Sequence, residues 1–466
     1  MADVDANVET QITKDPYVLD PANIQEPPRG WRPSLKFLGP GMVTSAAVVG
    51  SGELLTATTL GAKVGFILLW LIFVSTFVKV AVQIELARWS ISTGKAAITG
   101  YDQVPPKIGK RGWISYLNLL LILQIIIGQG GVLGAGALAF AMVFPVKGDP
   151  TSVASIGLWV TIMVIATIFI HVANKYSIVE NVSTFLVLLI TILAILMVFG
   201  IEVTPFAWSA ADFGSGMTFR IAAGAMGVAL AMFGMTGVGA GEITAYTYWC
   251  VEKGYAAWTG PNDGSQAWVE RARGWISVMK KDAWVSWFIY TISTAAFYIL
   301  GAAVLHPQGL EPKGTEVLHV ISRIFTDTMG EWVRVLFLIG AGIALLKTVL
   351  ANAPGFSRHI SNTFAVFGLF SWTNIAHRNL WMRSLVVALP IIWGLFAVIF
   401  RAPLAAVIIA GIGNAIFLMA VVVATLYLAH TETDPRVKDG KAWNVYLIVS
   451  SVAIFAVGVM GLIDSL

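Results

Sequence analysis

The 466-residue chain predicts an all-α integral membrane protein of eleven transmembrane helices. Three observations predict it. Hydrophobic residues make up 57% of the chain and charged residues only 12%, about half the charge a water-soluble domain carries. Apolar runs of about 20 residues, the length that crosses a bilayer, recur from residue 38 to residue 464 with short polar connections. Glycine (45) and tryptophan (17) are abundant, as in polytopic membrane proteins. This composition excludes a cytosolic enzyme, a disordered chain and a disulfide scaffold, and the single Cys250 permits no internal disulfide. The net charge of +4 gives no reason to expect nucleic acid; the expected partners are membrane lipid and a small ion.

Residues 1–36 are polar and end in the basic stretch Pro27-Pro28-Arg29-Gly30-Trp31-Arg32-Pro33, which reads as a solvated cytosolic tail and not as a signal peptide. The spans fall near 38–62, 65–91, 113–144, 156–173, 178–201, 219–250, 282–305, 332–353, 382–400, 403–429 and 443–464. With the tail inside, inner connections hold twenty Lys and Arg residues and outer ones seven. That bias orients the N-terminus to the cytosol and the C-terminus outside, in a plasma (inner) membrane. The 251–281 connection has a turn signal at Pro261-Asn262-Asp263-Gly264 and room for a short amphipathic helix.

The most informative feature is a repeat. Val49-Gly50-Ser51-Gly52-Glu53-Leu54 in the first span matches Val238-Gly239-Ala240-Gly241-Glu242-Ile243 in the sixth. Paired glycines loosen a helix, and unwound backbone at membrane depth is tolerated only where protein or a water-filled cavity surrounds it. The half-helix that ends there frees carbonyls; the one that begins there offers amides and a positive dipole end to the glutamate. Corresponding interruptions in oppositely directed spans mark a secondary transporter with a midplane site. Gly-x-Gly is also a close-packing device in membrane helices; the buried acid in each copy favours the site.

The residues Gly39-Pro40-Gly41-Met42 before the first span and Ala62-Lys63-Val64-Gly65 before the second resemble the Nramp family of divalent-metal transporters. The resemblance implies the LeuT-type fold: a first inverted repeat over 37–201, a second over 219–429, and a peripheral eleventh span at 443–464. In that family the first span breaks at Asp-Pro-Gly-Asn and the sixth at Met-Pro-His. Here the family's metal-binding Asp falls on Gly50 and its Asn on Glu53, Met235 lies one turn too early to supply the thioether, and the sixth-span histidines are absent.

The expected site is therefore Glu53 and Glu242 with backbone oxygens at Gly50, Gly52, Gly239 and Gly241 and hydroxyls at Thr56 and Thr244. Metal ligation is assigned to Glu53, Glu242, Gly50 and Gly239. Such an oxygen cage suits Mg²⁺, Mn²⁺ or Ca²⁺. Without the ion, two neighbouring carboxylates would not both stay ionised, which provides proton coupling. Thr58, Thr59 and Thr247 read as bonded to backbone, and Tyr246 and Tyr248 as interfacial anchors or cavity walls. Lys79, in the middle of the second span, needs a partner and is a counter-ion or coupling candidate; Gln124 either lines the path or links helices. Gly128, Gly130, Gly131, Gly134 and Gly136 predict close packing against the first or sixth span. Glu85 and Arg88 read as an interfacial ion pair, His171 as a satisfied structural histidine, and Lys347 and Asn352 as residues of the inner mouth. No cofactor and no enzyme motif is expected. Two alternatives stay open: the same fold carrying an organic ammonium or amino-acid-like substrate with the glutamates as H⁺ or Na⁺ sites, or a non-transporting sensor or scaffold.

Overall fold

The computed structural model describes residues 15–50, 52–172, 176–222 and 224–465. The helices that matter here are α1 (Pro40–Val48), α2 (Thr58–Val64), α3 (Leu69–Thr93), α4 (Trp113–Val143), α5 (Val153–Val172), α6 (Tyr176–Gly200), α7 (Met226–Met235), α8 (Ala240–Lys253), α9 (Gln266–Leu300), α10 (Val317–Met329), α11 (Val333–Val366), α12 (Ile375–Phe400), α13 (Pro403–Thr431) and α14 (Lys441–Ser465). Nine helical segments of the described residues are long and apolar enough to cross a membrane. One of them, Pro40–Thr93, runs through both the first and second expected spans. Among the described residues the strands amount to one two-residue ladder, Lys107 opposite Gly112 and Ile108 opposite Arg111.

The first span is interrupted. α1 starts on Pro40, where a missing N–H costs nothing, and ends at Val49, whose backbone is extended. Gly50 follows with φ +141°, a conformation L side chains rarely adopt. The helix resumes as a π-helical turn, Gly52–Ala57, and continues as α2. The sixth span is interrupted likewise: α7 ends at an extended Thr236, Gly237 has φ +60°, and α8 starts after an extended Gly239. The interruption thus starts two residues earlier than the Val238-Gly239 copy suggested. The two breaks touch. A Cβ added to Gly52 would stand 2.5 Å from the Met235 carbonyl oxygen and 3.2 Å from the Thr236 Cα.

Elsewhere the packing corrects several expectations. The α4 glycines do not pack on the first or sixth span: added Cβ atoms at Gly128, Gly130, Gly131 and Gly134 meet Ala410, Phe396, Ala406 and Ala397 of α12 and α13, and Gly136 meets Met163 and Leu345. The seventh span begins at Gln266 and not at residue 282; its first turns bury Trp268 and Trp275 in a separate cluster with Trp258 and Tyr255. At about 1.5 Å per residue its 35 residues outrun the hydrocarbon layer. α11 likewise runs past Pro354 to Val366. Proline leaves the carbonyl four residues back without its helical donor, and the His171 Nε2 meets that oxygen, of Leu350, at 3.1 Å. The histidine is the structural one expected.

The tail is not a solvated one over its described part. Asp15 and Arg378 form a buried ion pair at 2.7 Å. The Tyr17 hydroxyl donates to Glu252 at 2.7 Å, and the Trp275 Nε1–H to the Gln25 carbonyl at 3.0 Å. Residues 15–37 thus lie as a strap over one face of the bundle, hereafter the tail face. The expected Glu85–Arg88 pair is present at 3.1 Å on that side. It widens into a cluster: Asp439 also holds Arg88 and Lys280, and Trp443 donates to Glu85.

Candidate cation site at the two helix breaks

Each break presents the two unsatisfied ends that any interrupted helix presents, carbonyls on one side and amides on the other. In the first, Glu53 turns back on its own chain. Its carboxylate accepts the Gly50 amide at 2.8 Å and the Thr294 hydroxyl of α9 at 3.0 Å, and the residue is fully buried. In the sixth, Glu242 is the third residue of α8 and accepts the Gly239 amide at 3.2 Å. Glu242 retains partial exposure. No hydrogen bond joins the two acids among the described residues; each caps its own half-helix.

The freed carbonyls face lysines. The Lys79 Nζ, from α3, donates to the Phe233 carbonyl at 2.6 Å and to the Thr236 carbonyl, both at the end of α7. Asn414 of α13 bridges the same gap, donating to the Gly234 carbonyl at 3.0 Å and accepting the Ala240 amide at 2.8 Å. At the first break the Lys347 Nζ, from α11, donates to the Val49 carbonyl. Thr348 reaches the same oxygen at 3.4 Å, and Asn352 donates to the Ala47 carbonyl at 3.2 Å. Lys79 is fully buried and Lys347 1% exposed. Lys79 lies in electrostatic reach of both Glu242 and Glu53, and Lys347 of Glu53. The buried Glu53 and the partly exposed Glu242 are balanced by two buried ammonium groups, as low-dielectric surroundings demand.

The expected ligand set divides accordingly. Gly50 and Gly239 do not offer their carbonyls: these accept the amides of Leu54 at 3.1 Å and Ile243 at 2.9 Å. The oxygens that side chains take up at the breaks are those of Ala47, Val49, Phe233, Gly234 and Thr236, up to six residues before the glycines named. Gly52 and Gly241 serve as close-approach positions, against Met235 and Phe356. Thr56 and Thr244 donate to the carbonyls of Gly52 at 2.5 Å and Ala240 at 2.8 Å, and Thr58, Thr59 and Thr247 are also backbone-bonded. Gln124 links helices, donating to the Ala410 carbonyl at 2.8 Å. Tyr246 is no interfacial anchor: fully buried, it donates to Asp282 at 3.0 Å. Tyr248 is fully buried too. Asp282 in turn accepts the amides of Gly39 at 3.0 Å and Gly41, capping the start of α1.

Sequence reasoning placed Lys347 and Asn352 at the inner mouth and did not single out Asn414, Thr294 or Asp282. Lys347 sits fourteen residues into the 34-residue α11, at break level. The available signal was its charge within an apolar span. No cluster of three or more His, Cys, Asp or Glu side chains fit to hold a metal occurs among the described residues. What the breaks present is main-chain oxygens with an acid beside each break.

Comparison with known proteins agrees with this architecture. The chain is 14% identical to the manganese transporter of Eremococcus coleocola, with a TM-score of 0.67 over 96% of this chain and 90% of that one. It also superimposes on MhsT, solved in complex with L-phenylalanine, at a TM-score of 0.57 and 16% identity over 94% of this chain and the whole of that one. An uncharacterised protein of Pasteurella multocida is 24% identical over 339 residues, 70% of each chain. The divalent metal cation transporter MntH of Acidiphilium cryptum is 32% identical over 111 residues, 24% of this chain and 26% of that one. Residues 41–464 match the family described as Natural resistance-associated macrophage protein-like. The chain is a membrane protein of the Nramp family.

Proposed function

We propose that the chain is a secondary transporter of a divalent cation, with Glu53, Glu242 and the carbonyls of Val49 and Thr236 as its ligands. One observation carries this: main-chain oxygens at both breaks converge on positive charge, with an acid beside each. The donors are all oxygen, which suits Mg²⁺, Mn²⁺ or Ca²⁺. Family membership and the curated transporters of divalent metal among its relatives support the same cargo.

In the described arrangement Lys79 and Lys347 occupy the oxygens that the ion needs. An arriving divalent ion displaces them. Charge balance with the two carboxylates holds only if the displaced Lys79 and Lys347 each give up one proton as one ion enters, which gives a coupling that needs no histidine. In this reading Gly50, Gly52, Gly239 and Gly241 make the close approach possible, and Thr56 and Thr244 stiffen the half-helices beside it. The reading includes eleven spans arranged as two five-span inverted repeats plus α14. It also places the tail face in the cytosol of an inner membrane.

The test is flux into proteoliposomes with Mn²⁺, Mg²⁺ and Ca²⁺ outside and a pH dye inside. Saturable uptake with proton movement is expected, and loss of both in the Glu53→Gln/Glu242→Gln double variant. Uptake unchanged in that variant would overturn the ligand assignment. A second reading is favoured by a specific observation: both breaks seat a primary ammonium group. An organic ammonium then fits the same oxygens. Methylammonium uptake without metal uptake selects it, and absence of either flux leaves a sensor or scaffold.

A further inference from the structure

A cavity of about 600 Å³ lies to one side of the breaks, between α6, α11 and α10, and ends on Gly50 and Leu54 of the first break. Its two long walls are apolar stripes. Leu193, Leu196 and Gly200 follow one face of α6, and Trp332, at the N-cap of α11, is followed at every fourth residue by Leu336 and Gly340. The second stripe spans about 12 Å along the helix at 1.5 Å per residue. Leu193, Leu196, Trp332 and Leu336 are each more than half exposed. The slot is therefore open sideways along the bundle, and its lining includes the buried Phe297 of α9.

Its polar content is nearly nil. The side-chain hydroxyls in the lining belong to Thr204 and Thr328, and both are spent on their own backbone, on the Ile201 carbonyl at 2.6 Å and the Ile324 carbonyl at 2.8 Å. A metal ion finds no ligand here. Water finds few partners, and apolar cavities of this kind stay dry or take apolar matter. The stripes lie on the expected fifth and eighth spans; in a membrane protein the exposed apolar face of a span meets hydrocarbon, which opens the slot to the lipid phase. We infer that this slot is a binding site for one acyl chain of a membrane phospholipid, inserted between α6 and α11 with its end against Gly50. The occupant fills the void beside the first break and so stabilises the described arrangement of α1 and α2. The inference stands apart from the identity of the cargo.

The experiment uses the full chain in vesicles containing phosphatidylcholine with a diazirine on one acyl chain, illuminated and mapped by peptide mass spectrometry. Labelling is expected to concentrate on residues 193–204 and 325–344. Gly340→Leu should lower it at least fivefold: a Cβ there meets no heavy atom within 4 Å, so the new side chain enters the slot without clash. Leucine also favours helix over glycine. Elution volume and unfolding midpoint report that the variant folds. Leu336→Glu, on the exposed rim, should give the same loss by polarity. Ile448→Leu on α14, exposed and remote from the slot, should change nothing. Labelling spread over all lipid-facing helices, or unmoved by Gly340→Leu, would overturn the site. Labelling by a diazirine fatty acid but not by the phospholipid would overturn the stated occupant.

Discussion

The first and sixth breaks solve one problem with the same chemistry and different parts. Each pairs a glutamate on the amide side with a lysine on the carbonyl side. The acids are at matching positions of the repeat. The lysines are not: one comes from α3, the other from α11, and these do not correspond under a five-plus-five arrangement. The breaks also differ in closure. Glu53 is sealed and held by Thr294, whereas Glu242 stays partly exposed beside Asn414. The acid thus follows from the helix that it starts, while the lysine is recruited from whatever neighbour lies over the freed oxygens.

The sharpest way to break this comparison is to remove the lysines one at a time. Lys79→Met strips two carbonyls of their donor and leaves acids uncompensated. Losing one partner of a buried charge set costs about 3–5 kcal/mol, to be read as a lowered unfolding midpoint in detergent. Adding Glu242→Gln should recover part of that loss; a fully additive double variant would sever the electrostatic link between the two. Lys347→Met should cost less, about 1.5–3 kcal/mol, the range for a hydrogen bond to a charged group. Thr348 still reaches the Val49 oxygen. Equal losses for both lysines would mean that the breaks are energetically alike.

Gly50→Ala tests the first break from the backbone side. The φ of +141° disfavours any Cβ, and the added atom would stand 2.7 Å from the Thr348 hydroxyl. Strain of this kind costs about 1–3 kcal/mol. Gly241→Ala should cost less, since its helical backbone suits alanine and the nearest atom, at 2.9 Å, is the rim of the Phe356 ring.

The smallest effect lies in the connection between α13 and α14, at Asp439. Partial burial acts to raise its carboxyl, and the hydrogen bonds from Arg88 and Lys280 overcome this and hold it below the ordinary carboxylate range. A depressed carboxyl contributes stability that is complete above the ordinary value and is lost as pH falls through the depressed one. The unfolding midpoint of the natural chain should therefore drop more between pH 5 and pH 3 than that of Asp439→Asn. The expected difference is about 1 kcal/mol or less, as for partly exposed pairs. Identical acid slopes would remove Asp439 from the cluster's energetics.

Hydropathy made the spans legible, and Gly-x-Gly-Glu made the breaks legible, because glycine and a buried acid are costly in an apolar helix without a reason. What fills the breaks was less legible. Lysine partners here are carbonyl oxygens, which every residue carries and no side chain announces. Lys347 was misplaced because apolarity fades near residue 353 while the helix continues past Pro354 to Val366, so the apparent end of the span was its middle. The start of α9 was missed for the same reason: its first turns are amphipathic and bury their tryptophans against protein, not lipid. Asn414 and Thr294 are neutral, and nothing in their spacing separates a helix link from a cap.

The strap of residues 15–37 carries a practical consequence. It is pinned on one side by Arg378 and on the other by Trp258 and Trp275, with Glu252 between. Any motion that widens the bundle there has to peel it away or carry it along. A fluorophore attached at Tyr17 and another on α12 would report such widening in real time, and an affinity handle spliced into the strap would jam the very movement under study.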